Sequence, residues 1–243
     1  MIRYTRKTLS WCVSLCLLLC LTVYAPGQIS AGPANETEYS SNRWQYGGVF
    51  TSGFAVNHSV HGGLHYHESL DFYSGGFEGG RMVTAVHGPG RIGGRGEMIV
   101  EVLPFWYSRI PKQTVTVYTP AGNDQGQDVI GPYGWHGVTV TPLLFRWNLT
   151  RLRSRRLMPY GQLGSGLLWT SQNFPQGGRA PAGTTSRINF TPQVGFGASF
   201  FTRQRQSANF GVKVIHISSA GIGNYNPGVN VTLQFSAGYS WWR

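Results

Sequence analysis

The sequence predicts an all-β protein, an eight-stranded antiparallel β-barrel that crosses an outer membrane. Three observations carry that expectation: an N-terminus built for export, a composition rich in glycine and aromatics, and period-two alternation over lengths that match a bilayer.

The N-terminal segment comes first. Arg3, Arg6 and Lys7 precede an apolar run from Leu9 to Tyr24, followed by the small-residue exit Ile29-Ser30-Ala31. This is the pattern of a secretory signal peptide over residues 1–31. A membrane anchor is the competing reading, but the run falls short of the ~20 residues a spanning helix needs. Cys12, Cys16 and Cys20 all lie inside it, so the mature chain would hold no thiol and no disulfide framework. Residues 32–42, with Asn35, Glu36 and Ser40, read as a flexible leader, and residues 43–243 as the barrel domain.

Composition narrows the class. The chain has 34 glycines, 14% aromatic residues and only 12% charged residues, which fits neither a helical bundle nor a disordered chain. Mean hydropathy is −0.17. That is unremarkable for a barrel, whose wall is half lipid-facing and half lumen-facing. Of the 20 basic residues three lie in residues 1–31, leaving 17 against 9 acidic ones, a formal charge of +8. The densest basic run is Arg151, Arg153, Arg155 and Arg156. It sits between two strand-like segments with no helix or zinc pattern, so it reads as a solvated turn, and no nucleic-acid partner is expected.

The alternation is clearest at the end. From Val231 to Trp241 every odd-numbered residue is apolar or aromatic and every even one small or polar. The same pattern sets Phe190, Val194, Phe196 and Phe200 against Asn189, Thr191, Gln193 and Ser199. Noisier segments at 44–57, 64–86, 94–107, 137–149, 157–170 and 209–218 complete the eight. In the third, Arg95, Glu97, Ile99 and Glu101 share a face that belongs in a polar lumen, while Met98, Val100, Val102 and Trp106 take the other. An even count places both termini in the periplasm, connections near 58–63, 108–136, 171–187 and 219–229 outside, and turns near 87–93, 150–156 and 202–208 inside. Trp44, Trp106, Trp147, Trp169, Trp241 and Trp242 would form interfacial girdles. A soluble β-sandwich would use the same aromatics as core but needs no uninterrupted alternation over membrane height.

The chemistry points to the seventh strand. Phe210, Val212 and Val214 form an apolar row that continues into His216 and Ser218, with Lys213 on the opposite face. If Lys213 faces the lumen, His216 and Ser218 face lipid near the outer rim, a costly place for polar groups that are neither used nor hydrogen-bonded. Residues two apart on a strand lie ~7 Å apart along the chain, within reach of an imidazole, so His216 could act as general base towards Ser218. The competing reading is a pair of interfacial polar residues satisfied by headgroups or water.

His216-Ile217-Ser218-Ser219-Ala220-Gly221, followed by Asn226-Pro227-Gly228 and a last strand, resembles the PagL-type lipid A 3-O-deacylases, also known as bacterial acyloxyacyl hydrolases. The resemblance implies an eight-stranded outer-membrane barrel that cleaves an ester-linked acyl chain from the lipid A of lipopolysaccharide, without cofactor or metal, at a site on its lipid-facing wall. It implies Ser218 as nucleophile, His216 as base, and oxyanion contacts from the backbone at Gly221 and from the residue after the nucleophile, usually asparagine and here Ser219. The family's orienting glutamate falls on Asn230. An amide can orient an imidazole but cannot stabilise its cation by charge; the corresponding change costs serine proteases ~10⁴ in rate, whereas Cys-His-Asn enzymes function with an amide. Simple alternation sets Asn230 in the lumen row of Thr232 and Gln234, so meeting His216 requires a bulge. Asp124 and Asp128 are the other acids expected at that level. A non-catalytic, structural or lipopolysaccharide-binding barrel is the alternative, and Ser219 and Asn230 are the features that favour it.

Other patterns carry less. His65 and His67 share a strand face near His58, His61 and Glu68, short of a complete metal site. Gly88 to Gly93 matches a dinucleotide glycine pattern but opens no helix, so it reads as a turn.

Overall fold

A computed structural model describes residues 43–57, 70–118, 124–154, 156–174, 186–222 and 229–243. The segment read as signal peptide and leader lies outside the described residues, as do the histidines between 58 and 67. The strands are β1 (Trp44–Asn57), β2 (Asp71–Met82), β3 (Arg95–Ile110), β4 (Gln113–Tyr118), β5 (Asp124–Ile130), β6 (Tyr133–Asn148), β7 (Leu157–Phe174), β8 (Ser186–Phe190), β9 (Gln193–Arg203), β10 (Gln206–Ile217) and β11 (Val229–Trp242).

The wall is a closed antiparallel barrel of eight strands. β1 pairs with both β2 and β11, and β6 pairs with both β3 and β7, so the sheet has no free long edge. β8 and β9 form one wall strand interrupted at Thr191-Pro192, both pairing with β7. Proline has no N–H to give to a ladder, which accounts for the break. Among the described residues β4 and β5 pair only with each other, as a ribbon within the second outer connection.

Alternation dictates what faces lipid and what faces the lumen. Phe50, Phe77, Leu163, Val194, Phe196 and Phe235 are exposed on the outer wall, while Thr51, Glu78, Gln162, Gln193 and Gln234 are buried within. The lumen is filled in three tiers. At the loop-bearing end Phe72, Trp106, Ile110, Trp135, Phe174 and Ile217 pack into an apolar plug. At the end that holds the C-terminus, Met82, Met158, Phe201 and Trp242 form a second. Between them lies a charged layer. Arg146 pairs with Glu78 at 3.2 Å and bonds Gln162 at 3.1 Å, with its guanidinium 4.4 Å from the Tyr160 ring; Lys213 pairs with Glu101 at 2.6 Å. Tyr160 fits only because Gly197 faces it: a Cβ there would lie 2.6 Å from the phenol oxygen.

Two expectations are corrected. Trp106 is not a girdle residue and does not share the outer face with Val102; it is 4% exposed, inside the outer plug. The β3–β6 register slips between Leu103 and Trp106, and the extra residue at Pro104-Phe105 reverses which parity points inward. Trp242 is likewise buried in the lower plug, whereas Trp44, Trp169 and Trp241 are exposed as girdle residues should be. The strands β3, β6 and β7 also run past the expected ends at 107, 137 and 170, because beyond the bilayer their outer faces turn polar and the alternation loses contrast. The described part of β2 begins at Asp71, and the earlier start expected for it falls outside the described residues.

Candidate active site on the outer wall

β10 carries the two candidate reactive groups on one side. Lys213, Ile217 and Ser219 are buried, the last at 2% exposure, whereas Phe210 and Val214 are exposed and His216 and Ser218 half-exposed in the same row. His216 and Ser218 therefore share the lipid-facing wall at the loop-bearing end, directly outside the apolar plug to which Ile217 contributes.

Backbone bonds hold this strand end against its neighbour. The His216 N–H donates to the Pro192 carbonyl at 3.0 Å. Ser218 and Phe190 exchange both of their bonds, Ser218 N–H to Phe190 O at 3.1 Å and Phe190 N–H to Ser218 O at 2.7 Å. With Ile217 locked into the plug between them, the outward direction of both side chains follows from the pleat.

On the other flank the β10–β11 ladder pairs Ile215 with Thr232 and then Ile217 with Val229. His216 alone is thus opposed by two residues, Asn230 and Val231. The bulge that a contact between Asn230 and His216 requires is present at that step, and the strict alternation that would assign Asn230 to the row of Thr232 and Gln234 is interrupted. A second slip, between Ala55 and Asn57 of β1, adjoins the same stretch of β11. Thr232 ties the bulge down: its hydroxyl donates to the Ile215 carbonyl at 3.1 Å and accepts from Gln234 Nε2 at 3.3 Å. The Asn226-Pro227-Gly228 segment lies outside the described residues.

Beyond Ser218 the chain reverses in a tight turn closed by the Ile222 N–H to the Ser219 carbonyl at 3.0 Å. Its central residues, Ala220 at φ 50° and Gly221 at φ 83°, are both left-handed, the signature of a type I′ turn. The turn delivers the Ala220 N–H to Ser218 Oγ at 3.1 Å. Among the described residues nothing lies within 4 Å of the position a Cβ would take at Gly221. Ser219, the other residue expected to contact an oxyanion, is buried, and its hydroxyl does not share the exposed face of Ser218. Sequence reasoning missed Thr232 and Ala220: threonine on an inner row looks like any lumen residue, and alanine carries no signal for positive φ.

The surroundings suit a lipid chain. Ile188, Phe190, Leu167, Trp169 and Val194 are exposed on the adjoining outer wall. Asp124 and Asp128 lie on the β5 ribbon, where side-chain positions are not described. Asp71, on β2, is paired with Arg109 at 3.1 Å. The glycine-rich run 88–93 forms a turn between β2 and β3 with a short 3-10 segment at Gly90–Ile92.

A family model described as lipid A 3-O-deacylase (PagL) matches residues 103–240, a stretch that contains β10, the turn and nearly all of β11. The chain belongs to the PagL family. Its own closed sheet of eight wall strands, apolar outside and polar within, is the architecture of an outer-membrane barrel. No curated protein matches it in sequence. Among solved structures it is similar to the outer membrane enzyme PagL, with 17% identity, a TM-score of 0.48, and 80% of this chain and 98% of that chain covered. It is also similar to the outer membrane protein OprG from Pseudomonas aeruginosa, with 12% identity, a TM-score of 0.47, and 84% and 97% covered.

Proposed function

We propose that this PagL-family barrel hydrolyses an ester-linked acyl chain of lipid A in the outer leaflet, with Ser218 as nucleophile and His216 as general base. The observation that carries the reading is the placement of imidazole and hydroxyl in one lipid-facing row, two residues apart, at the end of the barrel where the outer leaflet lies. The Ala220 N–H on Ser218 Oγ adds to it. That bond occupies a lone pair of the hydroxyl, leaving its proton for a base, and it stabilises the oxygen as negative charge grows.

In this mechanism His216 takes the Ser218 proton as Oγ attacks the acyl carbonyl. The oxyanion is met by backbone N–H groups of the turn at Gly221, since the Ser219 side chain faces inward. Collapse breaks the ester bond, the sugar oxygen leaves with the proton held by His216, and the acyl group stays on Ser218. Water, deprotonated by His216, then releases the fatty acid and restores the hydroxyl. No cofactor or metal is needed for these steps. Asn230, one of the two residues opposite His216 where the β10–β11 register slips, is the group proposed to orient the imidazole. The initial export step is assigned to residues 1–31 as signal peptide.

The test is expression of the full chain in a Gram-negative host with mass spectrometry of its lipid A. Loss of one acyl chain, absent with Ser218→Ala and with His216→Ala, supports the hydrolase. An unchanged spectrum from a folded barrel supports the non-catalytic lipopolysaccharide-binding alternative. Asn230→Glu raises the rate if the position contacts His216, and leaves it unchanged if another group orients the ring.

A further inference from the structure

The end of the barrel opposite the loops presents a ring of positive charge. Arg91 lies on the turn between β2 and β3, Arg151 and Arg156 on the turn between β6 and β7, Arg203 and Arg205 at the turn between β9 and β10, and Arg243 after β11. All six are exposed. None of the ion pairs among the described residues involves them. The acids among the described residues lie elsewhere: Glu78, Glu97 and Glu101 are buried in the lumen, Asp71 stands at the loop-bearing end, and Asp124 and Asp128 on the outer ribbon. The ring thus spans every turn at this end and meets no acid there among the described residues.

The arginines stand on a fixed frame. The Arg151 N–H donates to the Gly93 carbonyl at 3.1 Å and Trp147 Nε1 to the Ile92 carbonyl at 3.1 Å, joining the first and second turns. The Trp242 N–H donates to the Arg205 carbonyl at 2.9 Å and the Arg243 N–H to the Trp44 carbonyl at 2.8 Å.

An aromatic belt marks the depth of this ring in the membrane. Trp44 and Trp241 are exposed on the outer wall, Trp241 stacks on Tyr46 with centroids 5.9 Å apart, and the Arg81 guanidinium lies 5.5 Å from the centre of the Trp44 ring. Tryptophan and tyrosine settle at headgroup level. Guanidinium groups at that level meet lipid phosphates, which their planar fork binds in pairs of hydrogen bonds.

We propose that this arginine ring is a binding site for anionic phospholipid headgroups in the periplasmic leaflet, phosphatidylglycerol being the simplest occupant. Each arginine near an anionic surface adds to the attraction, and the six are spread around the circumference, so the site collects several lipids as a partial shell. The ring anchors the lower rim of the barrel while the opposite rim faces lipopolysaccharide.

The full chain is purified from outer membranes and reconstituted in phosphatidylcholine vesicles containing brominated phosphatidylglycerol or brominated phosphatidylcholine, and quenching of tryptophan fluorescence is compared. At low salt phosphatidylglycerol is preferred on the order of fivefold, and the preference shrinks as salt is raised. Combining Arg151→Gln, Arg156→Gln, Arg203→Gln and Arg205→Gln brings it to parity, whereas Lys112→Gln with Arg187→Gln at the other end leaves it unchanged. Should the fourfold variant fail to show the heat-modifiable migration of a folded barrel, the pairs Arg151/Arg156 and Arg203/Arg205 are changed separately, each removing part of the preference. Equal quenching by both lipids in the unaltered protein, a preference that survives all these changes, or one lost only in the Lys112/Arg187 variant overturns the proposal.

Discussion

Among the described residues two histidines stand on outward rows at the loop-bearing end of this barrel, on walls three strands apart, and only one of them sits in a candidate site. His136 on β6 follows the buried Trp135 and is exposed, with its ring 4.9 Å from that of Tyr107. It pairs in register with Tyr107, and its own row continues into Gly134 and Val138, with no hydroxyl. Ser171, across the ladder, accepts the His136 backbone N–H at 3.4 Å. His216 has a serine two residues along its own row, a bulge opposite it and a turn that feeds an N–H to that serine. A histidine at the lipid rim is thus common interfacial furniture. The chemistry proposed for His216 rests on the local irregularities arranged on both its flanks.

The largest effect expected from this contrast is on rate. His216→Ala lowers deacylation by about 10³-fold or more, and adding Ser218→Ala costs little further because the two act as a unit. His136→Ala leaves lipid A turnover unchanged. Equal losses from both histidine variants, read by mass spectrometry of lipid A over time, would break the distinction.

The next effect is on stability and should leave the site's chemistry alone. Lys213→Met, on the inner face of β10, strands the buried Glu101 carboxylate and costs about 3–5 kcal/mol, measured as a lower midpoint of heat-modifiable migration or urea unfolding. Lys213→Met with Glu101→Leu recovers most of it, since a buried pair replaced by apolar groups is often neutral. No loss in the single variant would mean that the charged tier is open to water.

A smaller effect tests the bulge. Thr232→Val removes the hydroxyl that bonds the Ile215 carbonyl, and activity falls by about tenfold with little change in stability beyond ~1 kcal/mol. An unaltered kcat would show that the bulge holds its shape without that bond. Smallest is Ala220→Gly. Relief of the left-handed alanine outweighs the added freedom of the unfolded chain, raising stability by about 0.5–1 kcal/mol. A modest drop in kcat, at constant KM, would accompany the looser N–H contact to Ser218; destabilisation instead would contradict the strained turn.

Much of this was legible in the residues. The start of β1 at Trp44, the two faces of β9 and β11, the inward Lys213 and the shared outward row of His216 and Ser218 all follow from period two, because one polar side and one apolar side leave a strand a single orientation. The partner of Lys213 did not follow, since Glu101 lies four wall strands away around the closed sheet. Trp106 was misassigned because alternation counts residues, and a bulge at Pro104-Phe105 inserts one that the count does not see. The same blindness applies to Asn230, whose relation to His216 depends on a bulge that strand periodicity alone would forbid. The arginine run at 151–156 reads as a solvated turn, and only closure of the barrel gathers Arg151 and Arg156 with Arg91, Arg203, Arg205 and Arg243 into one ring.

The sequence by itself determined the fold class, the membrane-crossing strands and which side of the wall most residues take, since these rest on short-range alternation and composition. Tertiary structure alone decided which charges pair across the lumen, where the ladders slip, and that Ala220 hands its N–H to Ser218. Those features depend on register between strands distant along the chain and on backbone angles that alanine does not advertise, and neither is written in local pattern.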